Sequence, residues 1–172
     1  MSSHPFDLPP SAWVQQWASA IRPGGAVLDV ACGSGRHSRL LARMGFEVDA
    51  VDRDPALFED PPPRVTLLGA DLEGDDWPYA GRLFDAIVVT NYLHRPLLPL
   101  LAASLERGGM LVYETFAVGN ERFGKPSNPA FLLQPGELLD AVRGKLRVIA
   151  YEDLTVGEPR PAALQRIAAR RE

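Results

Sequence analysis

Residues 27–38 read VLDVACGSGRHS, a short apolar run followed by two closely spaced glycines and a polar segment. An apolar run without alternation is expected in a strand whose two faces are both covered. Gly33 and Gly35 permit a tight turn and let the backbone approach a ligand closely. A helix beginning after this turn would direct its free N–H groups at the same point. The stretch therefore predicts a strand, a glycine turn and a helix that form a nucleotide-type pocket.

The segments around this stretch alternate between strand and helix patterns. Apolar runs and alternation predict seven strands, at 26–31, 46–52, 64–70, 84–90, 110–116, 146–156 and 162–170. Helices are predicted at 11–21, 36–44, 96–105 and 135–143. This alternation predicts an α/β fold with a doubly wound, mostly parallel seven-stranded sheet. The short connection between the last two strands predicts an antiparallel C-terminal strand at one edge.

Length, charge and composition narrow the class of protein. A chain of 172 residues is long enough for a single domain with a substantial core, so we expect residues 1–172 to form one domain. The net charge of −4 disfavours a large nucleic-acid interface, which normally needs a basic face. No leader-like or membrane-spanning segment is visible, which predicts a cytoplasmic protein without a membrane partner. The oligomeric state stays open.

Two segments are candidates for covering a ligand. In the N-terminal arm and helix, residues 1–22, the aromatic side chains of Phe6, Trp13 and Trp17 either pack on the domain or close over the pocket as a lid. The long loop at 117–134 is of a length that is usually functional or mobile. Its polar residues either frame an acceptor site or are simply solvated; they are Asn120, Arg122, Lys125 and Asn128.

Acidic and amide side chains follow the predicted strands where the carboxyl ends of parallel strands meet. Asp52 comes 19 positions after Gly33 (52 − 33), the spacing at which a carboxylate can accept hydrogen bonds from ribose hydroxyls. Asp71 ends the third strand and could accept a bond from an exocyclic amine. Asn91 ends the fourth strand. A ligand with a sugar and a base would fit this set of side chains.

Taken together, these motifs resemble class I S-adenosylmethionine-dependent methyltransferases. The resemblance is carried by LDVACGSG at 28–35, Asp52-Arg53, GADL at 69–72, and the strand from Phe84-Asp85 to Asn91. The segment at 35–42, GRHSRLLA, is similar to the tellurite-resistance type within that class. The resemblance spans roughly residues 26–156 and implies a Rossmann-like methyltransferase fold.

The resemblance also implies a role for each matching residue. Its cofactor would be S-adenosyl-L-methionine, leaving S-adenosyl-L-homocysteine as product, with a small-molecule acceptor and no metal. Gly33 and Gly35 would shape the bend under the methionine part, and Asp29 would help to hold its amino group. Asp52 would bind the ribose hydroxyls, and the remaining cofactor-binding residues would be Ala31, Arg53, Asp71, Leu72 and Asn91. Asn91 and His94 would be the catalytic candidates, with His94 as the acid–base group.

Competing interpretations remain at several of these positions. Asp29 could be a buried structural acid, Cys32 is expected to be a packing residue, and His37 could serve a surface, capping or substrate-binding role. A nicotinamide-dependent oxidoreductase is an alternative, but Ser38 replaces the third glycine of its G-x-G-x-x-G motif. A module that binds the cofactor without catalysis is a further alternative.

Overall fold

The computed structural model describes residues 8–172. Its seven strands form one sheet in the order β3-β2-β1-β4-β5-β7-β6. The strands are β1 (Ala26–Val30), β2 (Glu47–Asp52), β3 (Val65–Gly69), β4 (Phe84–Thr90), β5 (Leu105–Phe116), β6 (Arg147–Val156) and β7 (Ala162–Arg170). The helices are α1 (Ala12–Ala18), α2 (Arg36–Arg43), α3 (Leu98–Ala103) and α4 (Glu137–Val142). Short 3₁₀ turns lie at Pro55–Leu57, Arg95–Leu97, Asn120–Arg122 and Pro129–Phe131.

Pairing along the sheet confirms the predicted fold class. Strands β1 to β5 pair in parallel, whereas β7 runs antiparallel to both β5 and β6. The C-terminal strand therefore lies one place inside the edge, and β6 takes the edge position. A five-residue connection at 157–161 is too short for a parallel crossover, which forces β6 and β7 into a hairpin.

Helices cover both faces of the sheet, as a doubly wound fold requires. On one face, α1 packs over β5 and α2 packs over β2 and β1, with Trp13, Val27 and Leu41 in a shared core. On the other face, Leu28, Leu101 and Leu138 belong to a second core under α3 and α4. Neighbouring residues of β1 thus enter opposite cores, which explains why its apolar run shows no alternation.

The helix and strand boundaries differ from the sequence-based prediction at a few places. Helix α1 ends at Ala18 instead of 21, and the predicted helix at 96–105 begins as a 3₁₀ turn and ends at Ala103. Strand β5 begins at Leu105 instead of 110 because Leu105 pairs with Phe84 before an irregularity in the ladder. These differences are confined to the ends of elements, which local patterns determine poorly.

The two tryptophans of α1 pack within the fold. Ser11 caps the helix, since its hydroxyl oxygen accepts hydrogen bonds from the N–H groups of Trp13 and Val14. Trp13 is buried, and its indole N–H donates to the carbonyl of Ile167 at 3.1 Å. Trp17 contacts Trp13 edge to face, with ring centroids 5.7 Å apart. This arrangement supports the packing interpretation for both, while Phe6 lies outside the described residues.

Helix length bears on the predicted absence of a membrane partner. Within residues 8–172, no helix combines the length and the apolar character that crossing a bilayer demands.

Candidate cofactor and active site at the carboxyl edge of the sheet

A cavity of about 510 Å³ opens at the carboxyl ends of β1 to β5. This volume falls within the usual range for small-ligand sites. Of the nine predicted cofactor-binding residues, six line the cavity: Ala31, Asp52, Arg53, Asp71, Leu72 and Asn91. Asp29, Gly33 and Gly35 do not line it. The other lining residues are Ala70, Glu73, Tyr92, Leu93, Thr115, Phe116, Pro126 and Phe131. The carboxyl ends of the parallel strands thus bring together residues that are far apart in the chain.

Two of the three non-glycine residues with left-handed backbone in residues 8–172 lie at the ends of β1 and β4, and the third is Asp60. Ala31 has φ 54° and Asn91 has φ 54°, although neither residue is glycine. Gly33 has φ 55° between them in the turn. Such conformations are costly for side chains with a Cβ and are held only where the surrounding structure enforces them. Their position beside the cavity is typical of a functional site.

The Asp52 carboxylate is fixed by two backbone N–H groups. Its Oδ2 accepts from the Gly33 N–H at 2.9 Å, and its Oδ1 accepts from the Asp54 N–H at 2.9 Å. A carboxylate has about four lone-pair positions, so each oxygen keeps capacity for a further donor. The Gly33–Asp52 contact also links the glycine turn to the end of β2. Asp52 therefore has the geometry to accept hydrogen bonds from a vicinal diol.

The two glycines of the turn serve different purposes. A Cβ added at Gly33 would meet no atom within 4 Å, so the backbone there borders open space. A Cβ added at Gly35 would lie 2.4 Å from the Phe58 ring. Gly35 also has φ 85° at the start of α2. Space at Gly33 would thus admit a side chain, whereas Gly35 allows Phe58 to pack beneath the helix.

Asp71 combines a turn role with a place in the cavity. Its Oδ1 accepts from the Glu73 N–H at 3.0 Å, and its own N–H donates to Asp75 at 3.1 Å. Leu72 is buried next to it, and Arg53 is exposed across the cavity. The structure therefore supports both interpretations of Asp71, because one carboxylate oxygen remains for a ligand.

Asp29 is the one predicted ligand-binding acid that the structure places outside the cavity. Its side chain is 1% exposed, and Oδ2 accepts a hydrogen bond from the Ser38 hydroxyl at 2.7 Å. Burial raises the pKa of Asp29 to about 6, despite the opposing effect of the Ser38 hydrogen bond. Asp29 points into the core beneath α2, so its carboxylate does not reach a ligand in the cavity.

His94 also lies outside the cavity lining. Its Nδ1 is 3.3 Å from a carboxylate oxygen of Glu73, and Glu73 itself lines the cavity. The residue after β4 that does reach the cavity is Tyr92, whose pKa is raised to about 12, chiefly by burial. The strand-end pattern placed His94 near the site but could not determine the direction of its ring.

His37 belongs to a buried network that the sequence did not predict. Its Nε2 accepts from the Ser11 N–H at 2.9 Å, so the ring proton sits on Nδ1, which faces the Thr90 hydroxyl at 3.2 Å. The Ser11 hydroxyl donates to Glu114 at 2.9 Å. Burial, with a smaller effect of Arg36, lowers the pKa of His37 to about 3. The neutral ring ties the residues before α1 to the end of β4.

The loop at 117–134 contributes apolar residues to the cavity. Pro126 and Phe131 line it, together with Thr115 and Phe116 at the end of β5. Asn120 is buried and donates to the Pro126 carbonyl at 2.9 Å, which fastens the loop. Asn128 accepts from the Ala130 N–H at 3.0 Å. Arg122 stacks on Phe123, and neither Arg122 nor Lys125 lines the cavity.

The predicted packing role of Cys32 agrees with its surroundings. The thiol is buried, and burial raises its pKa far above the usual range, with further contributions from the charges of Asp29 and Asp52. A thiol with a raised pKa is a poor nucleophile at neutral pH.

The sequence of this region matches the model of the family described as "Methyltransferase domain" over residues 27–109. This segment, 83 of the 172 residues (109 − 27 + 1), is similar to the methyltransferase-domain family. The matched residues include the glycine turn, and also Asp52, Asp71 and Asn91, which line the cavity. The resemblance to class I S-adenosylmethionine-dependent methyltransferases is thereby confirmed, and the oxidoreductase alternative finds no support.

A curated relative and two solved structures show how far the similarity extends. Protein-L-isoaspartate O-methyltransferase of Methylorubrum extorquens (strain PA1) is 43% identical over 79 residues, which are 42% of this chain and 34% of that protein. TehB from Haemophilus influenzae is 18% identical, covers 92% of this chain and 61% of its own, and has a TM-score of 0.77. A TehB-like SAM-dependent methyltransferase from Corynebacterium glutamicum is 18% identical and has a TM-score of 0.70. The match covers 96% of this chain and 90% of that protein.

These matches differ in what they establish. At this identity the two structures establish the fold, and they confirm the similarity to the tellurite-resistance type at that level. The chain spans between a third and a half of the length of the curated relatives that it matches. The shared stretch is therefore too short to assign the methyl acceptor of those relatives to this chain.

Proposed function

We propose that this chain is an S-adenosyl-L-methionine-dependent methyltransferase that acts on a small-molecule acceptor. The observation that carries the proposal is the Asp52 carboxylate, held by the Gly33 N–H at 2.9 Å and lining a cavity with Asp71 and Asn91. In this arrangement one carboxylate can accept hydrogen bonds from a diol and a second can accept from an amine, beside an open glycine turn. The proposal treats residues 1–172 as one domain.

The residues present fit the adenosyl group in chemistry and in size. Asp52 would bind the two ribose hydroxyls, and Asp71 would accept from the adenine amino group. The Leu72 backbone and the Arg53 side chain would flank the ring. The open space at Gly33 would admit the methionine part beside Ala31 and Asn91. Asp29 would act only indirectly, by supporting α2 through Ser38.

When bound, the cofactor supplies a sulfonium methyl group for in-line transfer to a nucleophile. Because positive charge is lost in this step, the protein contributes most by aligning the partners and excluding water. Asn91 would face the reacting centre, with its left-handed backbone fixed by the N–H donation to the Glu114 carbonyl at 2.9 Å. Phe116 and Phe131 would limit the access of water.

Neither His94 nor Tyr92 is placed to act as a general base in this cavity. His94 faces Glu73 outside the lining, and the raised pKa of Tyr92 keeps its hydroxyl protonated at neutral pH, so this hydroxyl does not accept a proton. An acceptor that is already anionic needs no proton removal before attack. The proposed function therefore does not include acid–base catalysis by His94.

Methylation of a protein carboxylate is a second candidate. It is favoured by the curated relatives, each named protein-L-isoaspartate O-methyltransferase, although they match only part of this chain. An isoaspartyl peptide and its aspartyl counterpart, each incubated with methyl-labelled cofactor, would discriminate the candidates. Label transferred to the isoaspartyl peptide alone would favour the protein acceptor over a small molecule.

The decisive test is binding of S-adenosylhomocysteine, measured by calorimetry and by the shift in melting temperature. A ligand at 100 times its dissociation constant should add about 2.7 kcal/mol to the stability. We expect stabilisation by S-adenosylhomocysteine and none by the nicotinamide dinucleotides. Stabilisation by a nicotinamide dinucleotide alone would overturn the proposal. Binding without transfer to any acceptor in a broad panel would favour the non-catalytic module.

A further inference from the structure

A second cavity, of about 360 Å³, lies on the α1/α2 side of the same sheet edge. Its walls come from residues 9–12 before and at the start of α1, from the end of β5, and from the turn between β6 and β7. No sequence motif marked this cavity, because its walls are assembled from both ends of the chain. Its volume suits a small molecule.

Arginines dominate the charged lining of this second cavity. Arg166 is already satisfied, since its guanidinium forms ion pairs with Glu114 and with Glu152. Arg36 and Arg160 also line the cavity, and neither forms an ion pair with any residue in 8–172.

The Arg36 guanidinium is held in place without an ion pair to any residue in 8–172. Its one hydrogen bond to a described residue is donation to the Pro9 carbonyl at 2.7 Å. The side of the cavity next to these two arginines has a single further carboxylate, the exposed Glu158. Two guanidinium groups therefore face one acidic side chain in addition to the Arg166 network.

Arg36 and Arg160 both present a positive charge to the second cavity. Burial lowers the pKa of Arg36, and the positive charge of Arg160 lowers it further, although Glu114 and Asp29 oppose this. A guanidinium remains charged at any ordinary pH, so the repulsion persists in the free protein. An anion between the two groups would relieve it and could form bidentate hydrogen bonds.

The second cavity adjoins the first. Phe116 lines both cavities, so the two share a wall at the end of β5. A molecule held by Arg36 and Arg160 would therefore lie beside the reacting end of a ligand in the first cavity. Proximity of this kind is what in-line transfer between two bound partners requires.

We propose that the second cavity binds the methyl acceptor, a small organic anion whose carboxylate or phosphate group is held by Arg36 and Arg160. This proposal rests on the proposed function and adds the substrate class. The N-terminal residues 9–12 form a wall of the acceptor site in this arrangement, and they do not line the first cavity.

The test is titration of benzoate, phenyl phosphate and benzamide into the full chain, with and without saturating S-adenosylhomocysteine. Benzoate and phenyl phosphate separate the two anionic groups, and benzamide is the neutral control. We expect binding of at least one anion and none of benzamide. Arg160→Ala should weaken anion binding at least tenfold, because it removes one of the two guanidinium groups that hold the anion. The variant should stay folded, because Arg160 is exposed and contributes little to the fold. Arg36→Lys should keep the charge but weaken the bidentate contact.

Arg107→Ala is the matched control, since Arg107 is an exposed arginine near the opposite end of β5 and should leave anion binding unchanged. S-adenosylhomocysteine binding should be the same in all three variants. A wild-type protein that binds S-adenosylhomocysteine but neither anion would overturn this inference alone. Anion binding that is equal in wild type, Arg160→Ala and Arg36→Lys would also overturn it. A protein that binds an anion but no S-adenosylhomocysteine would instead contradict the proposed function.

Discussion

The two cavities at the carboxyl edge of the sheet differ in charge and in origin. The first is lined by Asp52, Asp71 and Glu73 with one exposed arginine, Arg53. The second is lined by three arginines, of which Arg166 alone has carboxylate partners among residues 8–172. Acidic groups receive hydroxyl and amine donors, whereas unpaired guanidinium groups receive an anion. One sheet edge can thus hold two chemically opposite ligands side by side.

The largest expected effect tests the glycine turn between β1 and α2. Gly35→Ala should cost about 2–4 kcal/mol in the free energy of unfolding, from left-handed strain plus overpacking against Phe58. Gly33→Ala is the matched control and should cost about 1–2 kcal/mol, from strain alone. Denaturant unfolding measures both. Equal losses would show that Phe58 packing does not distinguish the two glycines.

A second prediction concerns His37, which connects the wall of the second cavity at Ser11 with Thr90 beside the first. His37→Leu should lower the free energy of unfolding at pH 7 by about 1–3 kcal/mol, because the buried Ser11 N–H loses its acceptor. The wild type should also lose stability as the pH falls from 6.5 towards 3, since the unfolded state then binds the proton more readily. The His37→Leu variant should lack the part of this pH-dependent loss of stability that comes from His37.

Asp29 opposes this pH dependence and gives an internal check. Its pKa is about 6 in the folded protein against 3.8 unfolded, so its effect is to reduce stability as the pH rises from about 4 to 6. Asp29→Asn should therefore make the acid-induced loss of stability steeper than in the wild type. A curve that becomes flatter in this variant would contradict the assigned direction.

The third prediction tests the first cavity directly. Asp52→Ala should weaken S-adenosylhomocysteine binding about tenfold or more, equivalent to about 1.4 kcal/mol, because the ribose hydroxyls lose a charged acceptor. Asp54→Ala is the control, since Asp54 is exposed two positions away and does not line the cavity. Calorimetry measures both variants. Anion binding in the second cavity should be unaffected by Asp52→Ala, and a parallel loss would argue against two separate sites.

The smallest expected effect is at Asp71. Asp71→Asn should weaken S-adenosylhomocysteine binding about threefold, because the amide keeps an acceptor oxygen but loses the charge. The Glu73 N–H can still find an acceptor there, so the melting temperature of the free protein should change little. No change in affinity, with the fold intact, would restrict Asp71 to its turn.

Local sequence was sufficient for most of the fold and for the first cavity. Strand positions follow from apolar runs, and parallel strands bring their carboxyl ends to one edge, so Asp52, Asp71 and Asn91 could be placed together from spacing alone. The roles of Asp29 and His94 could not be determined this way, because a strand pattern fixes position but not the partner of a side chain. Asp29 meets Ser38, and His94 faces Glu73.

The sequence by itself determined the order of the elements, the glycine turn and the acidic strand ends, because each depends on residues that are near one another in the chain. Only the tertiary structure decided that Gly35 packs on Phe58, that His37 is buried and neutral, and that Arg36 and Arg160 share a cavity. Those contacts join segments 23 to 124 positions apart (58 − 35 and 160 − 36), where no local pattern records the pairing. Packing of the whole chain brings them together.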